Sequence, residues 1–266
     1  TVYYDNIVVR EATEADRSVN NKGLQVFGTV TKSTVATGAD LVAYSGFSAS
    51  NYLQQPYNSD LDFGTGDFSV MGWFKCAIDG SGVLLSRSTD SGGTGFFWYV
   101  GSTGAISTRI GAGGNAIERG TNRLVDTNVW TLLTVVRRSG VVYVYIDAVL
   151  DNSFTLSGNI NSTAPLKLGG GAPNMSLWRI SASTPSLEQI KKIYNDEKHL
   201  FQENAKATLY GSSDAVTALA YDDSTNLLYA GTSAGRSEFQ GLRRINNTTE
   251  AVTTAISASN GLVAEQ

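Results

Sequence analysis

The chain has 266 residues, of which 41% are hydrophobic and 17% charged, which is typical of a folded globular protein. The net charge of -4 gives no reason to expect nucleic-acid binding, and no apolar run reaches the roughly 18 residues of a membrane span, so no membrane insertion is expected. A single Cys and a single His exclude a disulfide framework and a Cys/His metal cluster within one chain. The 28 Gly, 12 Tyr and 10 Phe instead favour an all-β fold.

Residues 1–21 are predicted to be the final strand of an upstream domain followed by a linker. The segment 2–10 has the composition of a strand, but a lone strand has nothing to pair with. Its sequence Y-Y-D-N-I-V-V-R at 3–10 resembles the "Y-x-D-N-V-x-V-R" ending of galactose-binding-like jelly rolls in carbohydrate-binding modules. An ordinary edge strand is the alternative, and residues 11–21 have the polar, charged composition of a linker.

Residues 22–199 are predicted to fold as a two-sheet antiparallel jelly-roll sandwich, because short strand patterns recur with turn residues between them. The segment 67–75 carries bulky groups on both faces, which is typical of a central strand. A Ser-Gly pair at 139–140 predicts a hairpin between strands at 130–138 and 141–150. Further strands are predicted at 24–27, 83–87, 95–100, 105–110, 166–168 and 176–181.

A short C-terminal helix is predicted to close this domain. Pro185 lies in the first turn, where its missing N–H is harmless, and Ser186 and Gln189 have the spacing of a capping box. An apolar stripe continues the helical period through Leu187, Ile190, Tyr194 and Phe201.

Residues 200–266 are predicted to form an additional β segment that resembles one blade of a β-propeller. Strand patterns at 215–221 and 227–232 form a hairpin, a third pattern lies at 241–245, and 251–256 is strand-like. Because one blade cannot bury its own faces, either further blades are missing or the segment pairs with copies of itself. We favour self-association, as a homotrimer.

Three motifs in order resemble the laminin G-like (concanavalin A-like) jelly roll. D-F-S-V-M-G-W-F-K at 67–75 matches the family's "dFT-x-x-x-W-x-K" strand. The Trp-led strand from Trp130 and V-Y-I-D-A at 144–148 match its "V-Y-I-D-G" hairpin region, with Ala148 in place of the usual Gly. R-I at 179–180 and the helix after it match the family's ending. The resemblance implies a concanavalin A-like fold, and the whole layout also resembles modular tail-fibre and adhesin proteins of bacteriophages.

The chain is predicted not to be an enzyme. The jelly-roll glycosidases that it resembles carry two Glu around an Asp on one strand, which places acid and nucleophile about 5 Å apart. No such run occurs in the sequence. His199 is the only imidazole and is expected to lie at a helix end. Cys76 is expected to be a half-buried, inert thiol.

With catalysis not expected, the function considered next is sugar binding, in which pyranose faces stack on exposed aromatic rings. The candidates, near loops rich in Ser, Gly and Asn, are Tyr52, Tyr57, Trp98 and Tyr99. For each of them the alternative is packing in the sandwich core or in a hairpin.

Three aspartates form a candidate metal site, and no other cofactor is expected. Asp60, Asp62 and Asp67 bracket the Gly-containing turn 63–66, and their hard oxygens could hold a structural Ca2+. The alternative is a plain turn in which Asp side chains cap backbone N–H groups.

The predicted function is a non-catalytic structural or receptor-binding module of a virion, similar to a phage tail fibre, that binds cell-surface glycan. Its expected partners are copies of itself, other virion tail proteins and a cell-surface polysaccharide, and its expected location is the phage tail or the extracellular space. The alternative is a carbohydrate-binding module of a secreted bacterial glycoside hydrolase, which a catalytic domain elsewhere in the gene would indicate. A third hypothesis is a structural spacer without a ligand.

Overall fold

The computed structural model describes residues 23–76, 82–88, 93–112, 115–171, 173–203, 205, 216–241 and 243–249. The strands predicted at 2–10 and 251–256 lie outside these residues. The chain divides into two units. The first holds the described residues within 1–31, 45–146 and 150–184, and the second holds those within 32–44, 147–149 and 185–266.

The strands are numbered in chain order. They are β1 (Gln25–Phe27), β2 (Thr31–Thr34), β3 (Val42–Ser45), β4 (Tyr52–Gln55), β5 (Phe68–Lys75), β6 (Gly82–Ser88), β7 (Gly95–Val100), β8 (Ala105–Ala112), β9 (Asn115–Leu124), β10 (Thr131–Arg138), β11 (Val141–Ile146), β12 (Val149–Thr155), β13 (Leu166–Leu168), β14 (Asn174–Ser181), β15 (Val216–Asp222), β16 (Leu227–Thr232), β17 (Gly235–Gln240) and β18 (Arg243–Thr248). The described helices are α1 (Leu187–Glu197) and two 3-10 turns at Ser59–Leu61 and Lys198–Phe201.

The first unit is a sandwich of two antiparallel sheets. One sheet has the strand order β1-β4-β13-β6-β7-β8-β9, and the other contributes β12-β11-β10-β5-β14 to this unit. In the first sheet β6 to β9 are paired in chain order, whereas β1, β4 and β13 come together from distant parts of the chain. The predicted all-β sandwich with a short helix after it is confirmed.

Aromatic rings fill the space between the two sheets. Phe68 on β5 stacks on Phe96 of β7 with 6.1 Å between ring centroids, and Phe96 stacks on Trp98 at 5.1 Å. All three side chains are fully buried, and burial of such large rings is a dominant favourable term in folding. β5 lies between β10 and β14 and is buried along all but its last residue, so the predicted central strand is confirmed.

The single strand predicted at 141–150 is wrong at its end, because the chain reverses at Asp147 and Ala148. Both residues have positive φ, 51° and 61°, as a two-residue hairpin turn requires. A left-handed conformation costs a non-glycine residue about 1 kcal/mol, which explains why Gly is usual at position 148 of the motif. β2, β3, β4 and β9, which are short or polar, were not predicted from the sequence.

The second unit contains β2 and β3, α1 and a four-stranded antiparallel sheet of order β15-β16-β17-β18. The Ser186 Oγ accepts from the Gln189 N–H at 3.2 Å, and the Gln189 side chain accepts from the Ser186 N–H at 2.7 Å, so the predicted capping box is confirmed. The β15-β16 hairpin is also confirmed, whereas β17 was not predicted. Four strands paired in chain order are the arrangement of a propeller blade.

Candidate functional site

The outward face of the first sheet carries a continuous row of side chains, one from each of its seven strands. Each member is the register partner of the next, and directly opposite residues on paired strands share a face. In sheet order this polar row consists of Gln25, Gln54, Lys167, Ser86, Phe97, Arg109 and Glu118.

Core residues alternate with the polar row along the inner strands β13, β6 and β7, which fixes the direction of the side chains there. Phe96 and Trp98 are buried on either side of Phe97, and Leu166 and Leu168 are buried on either side of Lys167. Because successive side chains of a strand point to opposite faces, the polar row points away from the core. Phe97 and Lys167 are half-buried, as expected for large side chains packed side by side on a solvent-facing sheet.

Trp98 is a core residue, and its prediction as a sugar-binding residue is wrong. Its side chain is fully buried against Phe96, so its ring cannot stack on a sugar. Trp98 and Tyr99 are neighbours in one strand and cannot share a face. The outward position beside Tyr99 belongs to Phe97, which the sequence analysis did not select.

Tyr52 and Tyr99 lie on the outward face, next to the polar row. Tyr52 stacks on Phe27 of β1 with 4.8 Å between ring centroids, and the Lys167 Nζ lies 4.5 Å from the centroid of the Tyr52 ring. Tyr99 packs against Phe97 with centroids 5.6 Å apart. Two of the four predicted aromatic residues are therefore on one surface, and Phe97 adds a third ring to it.

Glu118 is kept ionised by two hydroxyl donors on the same face. The Ser107 Oγ and the Tyr99 Oη each donate to the Glu118 Oε1 at 2.7 Å. The bond from Ser107, the bond from Tyr99 and the charge of Arg109 lower the pKa of Glu118, although partial burial opposes them. At neutral pH Glu118 is thus an acceptor rather than a proton donor. Both bonds end on Oε1, which leaves Oε2 for the hydroxyl of a ligand.

Tyr57 lies in the loop between β4 and β5 rather than on a strand of the sheet. Its Oη donates to the Asp62 Oδ2 at 2.7 Å, which raises the pKa of Tyr57. The Arg87 Cζ lies 5.8 Å from the centroid of the Tyr57 ring. Half of Tyr57 is exposed, so its ring is accessible to a ligand at this loop.

Asp62 neutralises a fully buried arginine. The Arg87 Nη2 donates to the Asp62 Oδ1 at 2.5 Å, and Arg87 itself is 0% exposed. Burial alone would raise the pKa of Asp62, but the hydrogen bonds from Arg87 and Tyr57 outweigh it, so the pKa is lowered. This carboxylate is therefore committed to a structural ion pair.

The structure gives the other predicted metal ligands structural surroundings as well. The Asp67 Oδ1 accepts the backbone N–H of Ser139 at 2.8 Å and so caps the β10–β11 hairpin, and Asp60 lies in the 3-10 turn at Ser59–Leu61. Among the described residues, no group of three or more His, Cys, Asp or Glu is placed to hold a metal ion. A Ca2+ at Asp60, Asp62 and Asp67 would have to compete with these protein donors, and the calcium site stays a prediction.

Two further titratable residues are uncharged at neutral pH. Burial raises the pKa of the Cys76 thiol to about 11, which leaves it protonated and unreactive. His199 lies in the 3-10 turn that follows α1, where burial and the charges of Lys198 and Arg243 lower its pKa.

The sequence analysis missed Lys167, Arg109 and Glu118. One signal for Arg109 is the alternation of β8, in which Ile106 and Ile110 are apolar and residues 107 and 109 are polar. Lys167 likewise lies between two leucines. The strand register that aligns these three residues across the sheet cannot be derived from any local sequence pattern.

A sequence model of the concanavalin A-like lectin/glucanases superfamily, of the laminin G type, matches residues 47–180, just over half of the chain. A search of curated proteins gives no match. In the described part of the chain, no helix combines the length and the apolarity needed to cross a bilayer.

Solved structures with a similar fold include botulinum neurotoxin binding domains. The serotype D binding domain has a TM-score of 0.57 and 15% identity, over 85% of this chain and 59% of that one. The serotype D domain in complex with N-acetylneuraminic acid has a TM-score of 0.57 and 14% identity, over 84% and 58%. The DC binding domain in complex with rat synaptotagmin II has a TM-score of 0.54 and 12% identity, over 83% and 58%.

This chain thus spans less than two thirds of those neurotoxin domains, and at such low identity the likeness shows the fold. The predicted jelly roll is confirmed by the sequence match and by these folds. The chain belongs to the concanavalin A-like lectin/glucanases superfamily.

Proposed function

We propose that this chain is a non-catalytic receptor-binding module that holds a cell-surface glycan on the outward face of its first sheet. The observation that carries the proposal is the polar row, which crosses all seven strands and has Tyr52 and Tyr99 beside it. Aromatic rings offer flat faces to a sugar ring, and the amides, hydroxyl and carboxylate of the row offer hydrogen bonds to sugar hydroxyls.

The chemistry of the polar row supports binding without catalysis. A retaining glycosidase needs two carboxyl groups about 5 Å apart, one of which is protonated before reaction. The polar row carries one carboxylate, Glu118, and its lowered pKa keeps it ionised. The neurotoxin domains of similar fold support the proposal too, since they are binding domains, one of them in complex with N-acetylneuraminic acid.

We place the module in a larger assembly, as a segment of a phage tail fibre or a similar extracellular adhesin. Its partners in this proposal are other virion tail proteins, the cell-surface glycan and two further copies of itself in a homotrimer. Support comes from the blade-like four-stranded sheet, whose strand β15 exposes Leu219 and Tyr221. Exposed apolar side chains on an edge strand suit pairing with another chain.

A glycan array tests the binding proposal. The full chain is expected to give hits. Tyr99→Ala is expected to weaken them at least tenfold, because a stacked aromatic anchor contributes about 1.4 kcal/mol or more. Tyr52→Ala is expected to weaken them as well, because the Tyr52 ring lies between Phe27 and Lys167 and positions the Lys167 ammonium. Tyr44→Ala removes an exposed ring of β3 in the second unit and is the matched control, expected to leave the hits unchanged. An array without hits, or hits that survive both sheet variants in folded protein, would reject this function.

A further inference from the structure

We infer that the polar row recognises an acidic polysaccharide, with Lys167 and Arg109 binding the carboxylates of two different sugar units and Phe97 stacking on the sugar between them. This inference rests on the proposed glycan-binding function and specifies its ligand. It follows from the spacing, the charge and the missing counterions of the row.

The spacing selects an oligosaccharide rather than a single sugar. Lys167, Ser86, Phe97 and Arg109 lie on four successive strands in direct register. With about 4.8 Å between neighbouring strands, the backbones of Lys167 and Arg109 lie about 14 Å apart. The Lys167 Nζ lies over the Tyr52 ring, away from Phe97, which widens the separation between the two cations. One carboxylate cannot reach both, but two units of one polymer can.

Neither cation has a counterion within ion-pair distance in the part of the chain that the structure describes. Lys167 lies over the Tyr52 ring, and Arg109 acts on Glu118 through its charge, without a hydrogen bond to it. Arg87 follows Ser86 in the chain but lies on the inward face of the sheet, where it forms an ion pair with Asp62. The fold thus neutralises the inward arginine and leaves the outward cations for a ligand.

Charge complementarity favours an acidic glycan over a neutral one. The polar row carries two cations and one anion, whereas the whole chain has a net charge of -4. A local excess of positive charge on an acidic protein attracts anions to that face alone. Charge-assisted hydrogen bonds to a carboxylate are shorter and about twice as strong as those to a neutral hydroxyl. Two cations are too few for the phosphate contacts that nucleic-acid binding uses.

The test is binding of the full chain to polygalacturonate, which carries hexuronic acids, and to polysialic acid, with neutral dextran and dextran sulfate as comparisons. We expect one or both carboxylated polymers to bind at least tenfold more tightly than dextran, and the stronger of the two identifies the class of acidic sugar. Lys167→Gln and Arg109→Gln are each expected to weaken that binding at least tenfold and to reduce its salt dependence. Lys192→Gln, at an exposed lysine of α1, is the matched control and is expected to change neither.

The outcomes separate this inference from the proposed function. Equal binding of dextran and the acidic polymers, lost in Tyr99→Ala but unchanged in Lys167→Gln and Arg109→Gln, would overturn the inference and keep glycan binding. Dextran sulfate binding that Lys192→Gln weakens as much as Lys167→Gln would indicate general attraction of polyanions and would also overturn it. No binding of any glycan would reject both. Melting temperatures of the variants verify that each one is folded.

Discussion

Arg87 and Arg137 are two buried charges, one in each sheet, that end at the same loop. Both are 0% exposed. Arg87 pairs with Asp62, whereas Arg137 donates to three backbone carbonyls, that of Gly64 among them, at 2.9 to 3.1 Å. Through Asp62 and the Gly64 carbonyl the two arginines hold the loop between β4 and β5, and Tyr57 is held with it because its hydroxyl donates to Asp62.

Asp62→Asn is expected to destabilise the fold strongly. The variant keeps the shape of the side chain but leaves the Arg87 charge buried without a counterion, which costs about 3 kcal/mol of unfolding free energy. Urea denaturation measures the loss. The exposed Asp126→Asn is the control and is expected to stay within about 0.5 kcal/mol of the parent chain. Similar losses in both variants would show that the ion pair adds nothing.

The ion pair between Asp62 and Arg87 also makes the stability of the fold depend on pH in the acid range. The pKa of Asp62 is lower in the folded state than in the unfolded chain. Its stabilisation is therefore fully present above the unfolded value, near pH 3.9, and is lost as the pH falls through the lower folded value. Below about pH 4 the parent chain is expected to lose stability more steeply than Asp62→Asn. Parallel pH profiles of the urea midpoint would contradict this assignment.

At the level of single residues, the role of a side chain could be predicted from sequence where the residue it contacts is close along the chain. The capping role of Ser186 depends on Gln189, three residues away, and was predicted. The prediction for Trp98 was wrong because alternate residues of β7 face opposite sides of the sheet. Aromatic residues occur on both sides, Phe96 and Trp98 on one and Phe97 and Tyr99 on the other, so the sequence does not show which side is buried. The inward phase is seen only in the packed core, where Phe96, on the same face as Trp98, stacks on Phe68 of β5.

At the level of elements, Asp151 of β12 ties the edge strands of the two sheets together. Its carboxylate accepts the backbone N–H groups of Asn122 and Arg123 in β9, at 2.8 Å each. The Asn122 side chain donates to the Asp151 carbonyl, and Asn152 donates to the carbonyl of Gly120. The end of β9 thus finds its partners within the molecule and is not open to strand addition.

Asp151→Ala is expected to release the end of β9. The amides of Asn122 and Arg123 lose charge-assisted acceptors, so their hydrogen exchange should accelerate at least tenfold, with a loss of about 1–2 kcal/mol in global stability. Hydrogen exchange followed by NMR measures both amides. Asp126→Ala serves as the control. Unchanged exchange at the two amides in Asp151→Ala would mean that these bonds do not hold the strand.

Helices and strands with a clear pattern in their own sequence could be predicted. Strands that form only because they pair with a neighbouring strand could not. The helix has a cap and an apolar stripe, and β5, β10 and β11 are rich in apolar residues. β9 is a polar edge strand whose order depends on β8 and Asp151, so its sequence lacks the usual alternation. β2 and β3 are only four residues long, too short for a period to emerge.

For the whole molecule, the proposed homotrimer makes a prediction for solution measurements. Light scattering of the full chain is expected to give three chain masses. Leu219→Asp places a charge on the exposed face of β15 and is expected to shift the protein toward the monomer. Leu150→Asp, at a similarly exposed leucine of the first unit, is the control. A monomer at every concentration, with no effect of Leu219→Asp, would exclude self-association through this strand.

The fold of the first unit could be predicted from sequence, but its candidate site could be predicted only in part. Short strands with turns between them indicate a sandwich without any knowledge of strand order. The polar row requires that order, in which β13 lies between β4 and β6. Tyr52 and Tyr99 were selected because aromatic residues near loops are conspicuous, whereas Lys167 joins the row through pairings with Gln54 and Ser86, 113 and 81 residues earlier.

The polar row also bears on how this surface can evolve. Each of its members comes from a different strand, and Lys167, Ser86 and Phe97 at its centre are flanked along the chain by buried residues. Exchanging one member therefore alters what the surface recognises while its inward neighbours continue to hold the sandwich together. Selection can thus change the outward positions of these strands, and with them the chemistry of the surface, while the packing of the scaffold is kept.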